Sequence, residues 1–311
     1  MKFRFKTQKY QVDAVNSVID VFKRQPYQTG IEYTRDLGII NRSDQMTLLD
    51  LDPIEKKKIF GDNEDDIGFA NAKIKLDDKT LLNNIRGVQA KFNLHESNCL
   101  VKKLGMVDLD VEMETGTGKT YVYTRTIFEL NKVYGWSKFI IVVPSIAIRE
   151  GVKKSLEQTQ EHFMELYGKK IRYFIYNSSN LGQIDEFSKD NSIHVMIINI
   201  QAFNARSQEN RRIYEQIDDF QSRKPIDVIA KNRPILILDE PQKMGGDATQ
   251  ESLKNFEPLF VINYSATHKE RHNLVYVLDA LDAYNQKLVK KIEVKGFQVK
   301  NLRGTNGYLY L

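Results

Sequence analysis

Residues 113–120 read Met-Glu-Thr-Gly-Thr-Gly-Lys-Thr, a glycine-rich turn at the end of an apolar run. The two glycines let successive backbone N–H groups approach phosphate oxygens, Lys119 adds a mobile positive charge, and the Thr120 hydroxyl can hold Mg²⁺. The strict form of this loop asks for glycine where the chain has Met113, so a literal pattern search fails. A helical pattern follows, and the dipole of its first turn favours anions. The stretch predicts a site for ATP and Mg²⁺ formed by Thr115, Gly116, Thr117, Gly118, Lys119 and Thr120.

Residues 235–242 read Ile-Leu-Ile-Leu-Asp-Glu-Pro-Gln, an apolar run that ends in two adjacent acids. Alone, such a pair often only caps a helix. The glycine-rich turn at 113–120 is called the phosphate loop below. Combined with this loop, Asp239 is predicted to position Mg²⁺, and Glu240 is predicted to orient and deprotonate the attacking water. The predicted catalytic residues are therefore Lys119, Asp239 and Glu240, and the predicted metal ligands are Thr120 and Asp239.

Short apolar runs alternate with amphipathic helical patterns from residue 107 onward. This alternation predicts an α/β fold with a mainly parallel sheet covered by helices on both faces, and the glycine-rich turn makes it a P-loop domain. Both halves of the nucleotide motif fall at carboxyl ends of strands, where such sheets bind ligands. The runs predicted as strands are 107–113, 139–143, 171–175, 194–200, 235–238 and 259–264, the last as the final core strand.

Changes in composition divide the chain into four predicted parts. Residues 1–24 hold a short amphipathic helix, and 25–105 form an inserted, partly helical subdomain of unknown role. Residues 106–283 form the ATPase lobe. Residues 284–311 turn basic without a closing helix pattern.

The overall composition is that of an ordinary globular protein, with 41% hydrophobic and 28% charged residues. The net charge of +5 favours an acidic partner only slightly. One cysteine, Cys99, excludes a disulfide framework and a thiolate zinc cluster, and we expect it to be buried. No apolar run is long enough for a signal peptide or a membrane span, so we expect a cytoplasmic protein without a membrane partner.

Three weaker signals are ambiguous when taken alone. Gln11 can donate and accept hydrogen bonds as adenine requires, or it is a solvated helix residue. Ser265-Ala-Thr267 after an apolar run is most simply a hydroxyl-capped turn. His268 and His272 could share a helix face, but no third ligand accompanies them, so a zinc site is not predicted.

In this order along the chain, the motifs resemble the amino-terminal motor domain of superfamily 2 helicases, and specifically the restriction (Res) subunit of type III restriction-modification enzymes. The resemblance is carried by Leu109–Tyr123, Phe139–Gly151, Asp-Glu-Pro-Gln at 239–242 and Tyr264–His268. It implies that the P-loop domain is RecA-like and that it is the DNA-dependent ATPase part of an endonuclease. The partners that it implies are double-stranded DNA and a methyltransferase subunit that reads the sequence. It also implies that Ser265 and Thr267 couple hydrolysis to strand movement. The DNA-contacting residues that it implies are Pro144, Ser145, Arg149 and Gln201, with Asn199 and Phe203 as approximate matches.

Motors of this kind bind ATP between two RecA-like lobes, and the second lobe supplies arginines to the transferring phosphate. The resemblance therefore implies that residues 284–311 begin the connection to a missing second lobe. We therefore expect this polypeptide alone to bind nucleotide weakly, hydrolyse it slowly and leave DNA uncut. Two alternatives remain open from the sequence: a helicase of another superfamily 2 branch acting on RNA or DNA, and a nucleotide-binding scaffold module that does not hydrolyse ATP.

Overall fold

A computed structural model describes residues 5–36, 67–203 and 212–290 of the chain. The strands are β1 Ile31–Thr34, β2 Ile67–Ala70, β3 Asp108–Met113, β4 Lys138–Val143, β5 Arg172–Ile175, β6 His194–Asn199, β7 Ile235–Asp239, β8 Val261–Ser265 and β9 Asn273–Leu278. The α-helices are α1 Lys9–Val21, α2 Asp78–Lys91, α3 Lys119–Tyr134, α4 Ile146–Tyr167, α5 Gly182–Lys189, α6 Pro225–Lys231, α7 Asp247–Lys254 and α8 Ala280–Asn285. Short 3₁₀ helices follow β6 at Ile200–Ala202 and β7 at Pro241–Met244, and a third covers Asp218–Phe220.

Seven strands form one sheet in the order β5-β6-β4-β7-β8-β3-β9, and each neighbouring pair is parallel. The predicted parallel sheet is confirmed, but the expectation that the run 259–264 is the final core strand is wrong. β9 follows it and pairs with β3 at the edge of the sheet. One strand, β8, separates the strand that precedes the phosphate loop from the strand that ends in the acidic pair.

Helices cover both faces of the sheet, as the sequence predicts. Alternate residues of β4 belong to two different apolar clusters, with Ile141 in one and Ile140 in the other. The first cluster includes side chains of α1, α2, α3 and α4, and the second includes side chains of α5, α6 and α7. The central strands β4, β6, β7 and β8 are buried along their whole length, which accounts for their near-continuous apolar sequences.

The described residues before β3 pack against this sheet domain. β1 and β2 form an antiparallel pair, and Leu81 and Ile85 of α2 belong to the same apolar cluster as the central strands. Asn71 donates a hydrogen bond to the carbonyl oxygen of Lys138 at 2.8 Å. Cys99 is exposed, so its predicted burial is wrong. Its carbonyl oxygen accepts a hydrogen bond from the side-chain amide of Asn273 at 2.9 Å, so the backbone of this segment is held while the side chain is exposed.

The predicted boundaries of the four parts stay predictions, and residues 1–4, 37–66, 204–211 and 291–311 within them lie outside the described part of the chain. Among the described residues, no helix is long and apolar enough to cross a membrane.

Candidate nucleotide site

The phosphate loop connects β3 to α3 in a conformation that glycine makes accessible. Gly116 and Gly118 have φ values of 84° and 90°, in the left-handed region that side chains with a Cβ rarely adopt. Gly118 is the residue immediately before the first turn of α3. The hydroxyl of Thr117 donates to the carbonyl oxygen of Glu114 at 2.6 Å and closes the loop internally. The backbone before the helix is therefore curved, as a phosphate cradle requires.

The acidic pair lies beside this loop, at the carboxyl end of β7. Glu240 has φ 59° and ψ 55°, a left-handed conformation that is uncommon for a residue other than glycine. The Nζ of Lys119 lies 2.9 Å from Glu240 Oε1 and donates to the carbonyl oxygen of Met113 at 3.2 Å. The structure thus brings together the lysine and the acid that the sequence places about 120 residues apart.

Asp239 is the more deeply buried acid of the pair. Burial raises the pKa of its carboxyl to about 6, and the neighbouring charge of Glu240 adds to this effect. Tyr123 of α3 donates to Asp239 Oδ2 at 3.4 Å. Burial and the charge of Asp239 raise the pKa of this phenol, so it remains a hydrogen-bond donor. A buried carboxylate with this environment would gain from a nearby cation.

Glu240 shows the opposite behaviour. Burial would raise the pKa of its carboxyl, but the hydrogen bond and the charge of Lys119 outweigh burial and lower it. Gln242 also donates its side-chain N–H to Glu240. Glu240 is therefore ionised near neutral pH, the form that accepts a proton.

The α1 helix contacts the phosphate loop directly through two adjacent side chains. The Tyr10 hydroxyl and the Gln11 Nε2 both donate to the carbonyl oxygen of Thr117, at 2.9 Å and 3.3 Å. Gln11 is thus placed at the loop, as expected for a residue near the nucleotide, while its predicted contact with adenine stays a prediction. Tyr10 was not predicted, and the sequence signal for it is its position next to Gln11.

A chain of polar contacts leads from the acidic pair to the Ser265–Thr267 turn. The Ser265 hydroxyl lies 2.7 Å from both Gln242 Oε1 and the carbonyl oxygen of Thr267, and it accepts from the Thr267 N–H at 3.0 Å. Gln242 therefore bridges Glu240 and Ser265. Its role was missed because the sequence shows that it follows the acidic pair but not that its side chain turns back toward Glu240.

The residues implied as DNA contacts follow the carboxyl ends of two neighbouring parallel strands, β4 and β6. Pro144 and Ser145 follow β4, and the Ser145 hydroxyl caps α4 by accepting from the Ile148 N–H at 3.4 Å. Gln201 is exposed in the turn after β6 and accepts from Asn199 at 3.5 Å. Arg149, on the first turn of α4, pairs with Glu150 at 2.9 Å.

A groove of about 610 Å³ opens beside these positions. Its lining combines basic, aromatic and amide side chains, which include Arg149, Lys153, Tyr173, Tyr176, Asn177 and Asn199.

A glycine loop before a helix, a lysine within it and two acids at the end of a parallel strand define a P-loop nucleotide-binding domain. The family model described as "Type III restriction enzyme, res subunit" matches residues 81–270. The chain belongs to this family and carries its helicase-like domain, so the resemblance seen in the sequence is confirmed.

Curated relatives include the Res subunits of the type III restriction-modification enzymes EcoP15I from Escherichia coli and EcoPI from Escherichia phage P1. They are 37% and 34% identical over 245 residues, which cover 72% of this chain and 25% of each relative. The chain therefore spans about a quarter of the length of these relatives.

Among solved structures, the chain is similar to the Sulfolobus solfataricus SWI2/SNF2 ATPase core in complex with dsDNA, with 12% identity and a TM-score of 0.35. The match covers 51% of this chain and 27% of that one. The UvsW helicase from bacteriophage T4 has 14% identity, a TM-score of 0.29 and coverage of 63% and 62%. Similarity this distant assigns no function by itself.

Proposed function

We propose that this chain is the first motor lobe of a DNA-dependent ATPase that drives movement on double-stranded DNA in a type III restriction enzyme. The observation that carries the proposal is the convergence of Lys119, Asp239 and Glu240, with Lys119 and Glu240 in contact at 2.9 Å. The left-handed glycine loop beside this contact has the backbone conformation of an anion-binding cradle, which a structural salt bridge alone does not require.

Mg²⁺ fits the side chains at this site. Thr120 and Asp239 offer a hydroxyl and a carboxylate, the hard oxygen ligands that this ion prefers, and Asp239 is buried with a raised pKa that a cation would offset. When bound with ATP, Mg²⁺ neutralises charge on the phosphate oxygens.

ATP binding would change the partners of Lys119. The loop N–H groups and Lys119 would contact phosphate oxygens, so Lys119 would exchange the Glu240 carboxylate for phosphate. Glu240 would then be free to accept a proton from the attacking water while Gln242 holds its second oxygen. The contact of Gln242 with Ser265 would pass the change to the Ser265–Thr267 turn.

Double-stranded DNA is the proposed polymer, and the groove beside Arg149 supports contact with its backbone. Arg149 and Lys153 have acidic neighbours at 2.9 Å and 3.9 Å, contacts that phosphate groups would replace. Pro144, Ser145 and Gln201 would extend this surface along the carboxyl ends of β4 and β6. In the full enzyme, which we place in the cytoplasm, a methyltransferase subunit would supply sequence recognition and other parts would supply the second lobe and DNA cleavage.

The proposal is tested by measuring the rate of ATP hydrolysis by the full enzyme at fixed salt. The rate is compared with no nucleic acid, with duplex DNA and with RNA. We expect stimulation by duplex DNA that exceeds stimulation by RNA. Greater stimulation by RNA would assign the chain to another helicase branch. ATP binding without hydrolysis under every condition would instead support a scaffold module.

A further inference from the structure

A buried carboxylate lies in the middle of β3, the strand that leads into the phosphate loop. Asp110 has no exposed surface, and the proposed ATPase chemistry does not use it. It lies opposite Asn263 of β8, and the register of β3 with β9 shifts between Asp110 and Val111. A charge in this position must be compensated, because burial disfavours the ionised form.

The compensation comes from the segment that follows the Ser265–Thr267 turn. The backbone N–H of His272 donates to Asp110 Oδ2 at 2.6 Å, and His272 Nδ1 lies 2.9 Å from Oδ1. Asn263 also donates to Oδ1, at 2.9 Å. His268 Nδ1 lies 3.9 Å from the same oxygen, and its Nε2 lies 3.3 Å from the carbonyl oxygen of Val111. Both ends of the segment 268–272 therefore contact β3.

These contacts favour a charged pair. Burial would raise the pKa of the Asp110 carboxyl, but the hydrogen bond from His272 and the charges of His268 and His272 lower it. Burial would lower the pKa of His272, but its bond to Asp110 and the charges of Asp110 and Asp108 raise it above 6.5. Lys103 also faces His272 and opposes this rise, while Glu270 pairs with Lys103. Protonated His272 makes the stronger, charge-assisted bond.

We propose that Asp110, acting through His272, is a positioning residue that holds the Ser265–Thr267 turn against Gln242. The strand before the phosphate loop and the turn after β8 would then move together, because one carboxylate joins them. The positioning part of this inference stands on the contacts above, and its effect on hydrolysis rests on the proposed ATPase function.

Positioning is tested without nucleotide by hydrogen–deuterium exchange of the peptide that covers Ser265–His272. The variant is Asp110→Asn, and the matched control is Asp108→Asn. Asp108 is 1% exposed and accepts N–H groups of Lys103, Leu104 and Gly105, which lie outside the peptide. Its links to the peptide are indirect, through the ion pair of Lys103 with Glu270 and through its charge near His272, so it controls for the loss of a buried carboxylate on β3. We expect exchange of the peptide to rise about fivefold or more in Asp110→Asn relative to the control. Equal exchange in the two variants would overturn the proposal.

The effect on hydrolysis is tested by a pH profile of DNA-stimulated ATPase in the intact protein, from about pH 6 to pH 9. Since the pKa of His272 is raised, its charged bond is present at lower pH and is lost as pH rises through that value. Wild type should lose stimulation in the same direction, and Asp110→Asn should have low stimulation with no such dependence. Asp108→Asn should keep the pH-dependent loss but at lower pH, because the Asp108 charge also raises the pKa of His272.

The outcomes separate this proposal from the proposed function. Faster exchange in Asp110→Asn with the wild-type pH profile would refute the coupling role. Absence of stimulated hydrolysis in wild type would instead refute the proposed ATPase function, and the exchange result alone would then decide whether Asp110 positions the turn.

Discussion

Replacing Gly118 by Ala should lower the free energy of unfolding more than the same change at Gly116, although both residues have left-handed backbone conformations. The two φ values, 90° and 84°, predict a similar strain of about 1–2 kcal/mol for a residue with a Cβ. A Cβ at Gly116 meets nothing within 4 Å, whereas one at Gly118 lies 2.8 Å from Gln11 Nε2. That amide is the end of a flexible side chain, so it can move, but it then loses its bond to the carbonyl oxygen of Thr117.

The lost hydrogen bond adds about 0.5–1.5 kcal/mol to the cost at Gly118. We therefore expect Gly118→Ala to lower the free energy of unfolding by about 1.5–3.5 kcal/mol and Gly116→Ala by about 1–2 kcal/mol. Urea unfolding of the 311-residue chain measures both values. Adding Gln11→Ala to each variant completes a double-mutant cycle, and the coupling should appear with Gly118→Ala alone. Equal destabilisation by the two glycine variants, with no coupling to Gln11, would refute this account of the loop.

Two further predictions concern the acidic pair and the groove. Asp239→Asn should stabilise the chain without nucleotide at pH 7 by up to about 3 kcal/mol, because the pKa is raised from 3.8 to about 6 and each unit corresponds to about 1.36 kcal/mol. The contribution of the wild-type carboxyl to stability is fully present below pH 3.8 and is lost as pH rises through about 6, so the stability difference between Asp239→Asn and wild type should disappear in acid. Binding of Mg²⁺-ATP to the variant should weaken. A variant less stable than wild type at pH 7 would contradict the burial argument. Arg149→Ala should weaken DNA binding and reduce the slope of log affinity against log salt concentration by about 1. Lys231→Ala, which changes an exposed residue of α6, is the control. Equal effects of the two variants would exclude the groove as a DNA contact surface.

The central strands and the phosphate loop were predictable because their signals are local. A run such as Phe139–Val143 is apolar on both faces, and the strand ends are marked by glycine, proline or acids. β9 was missed because Asn273–Leu278 follows a charged turn with no helical pattern between it and β8, so the alternation of strands and helices does not indicate it. Its place beside β3, at one edge of the open sheet, depends on tertiary pairing that periodicity does not show.

The contacts around the candidate site were less predictable because they join distant parts of the chain. Asp110 is an acid within an otherwise buried strand, which indicates a partner, but His272 lies 162 residues away. The bridge made by Gln242 depends in the same way on the left-handed backbone of Glu240. Sequence motifs identified the residue types, while tertiary packing determined their partners.

The central claim is that Glu240 activates water at an ATP site formed with Lys119 and Asp239. The most direct test is the rate of ATP hydrolysis by the intact protein with saturating duplex DNA, for wild type and Glu240→Gln, with exposed Glu251→Gln as the matched control. Removing a general base should lower kcat by about 100-fold or more. ATP should still bind to Glu240→Gln, because Lys119 and the loop remain. A hydrolysis rate of Glu240→Gln equal to that of wild type would contradict the account.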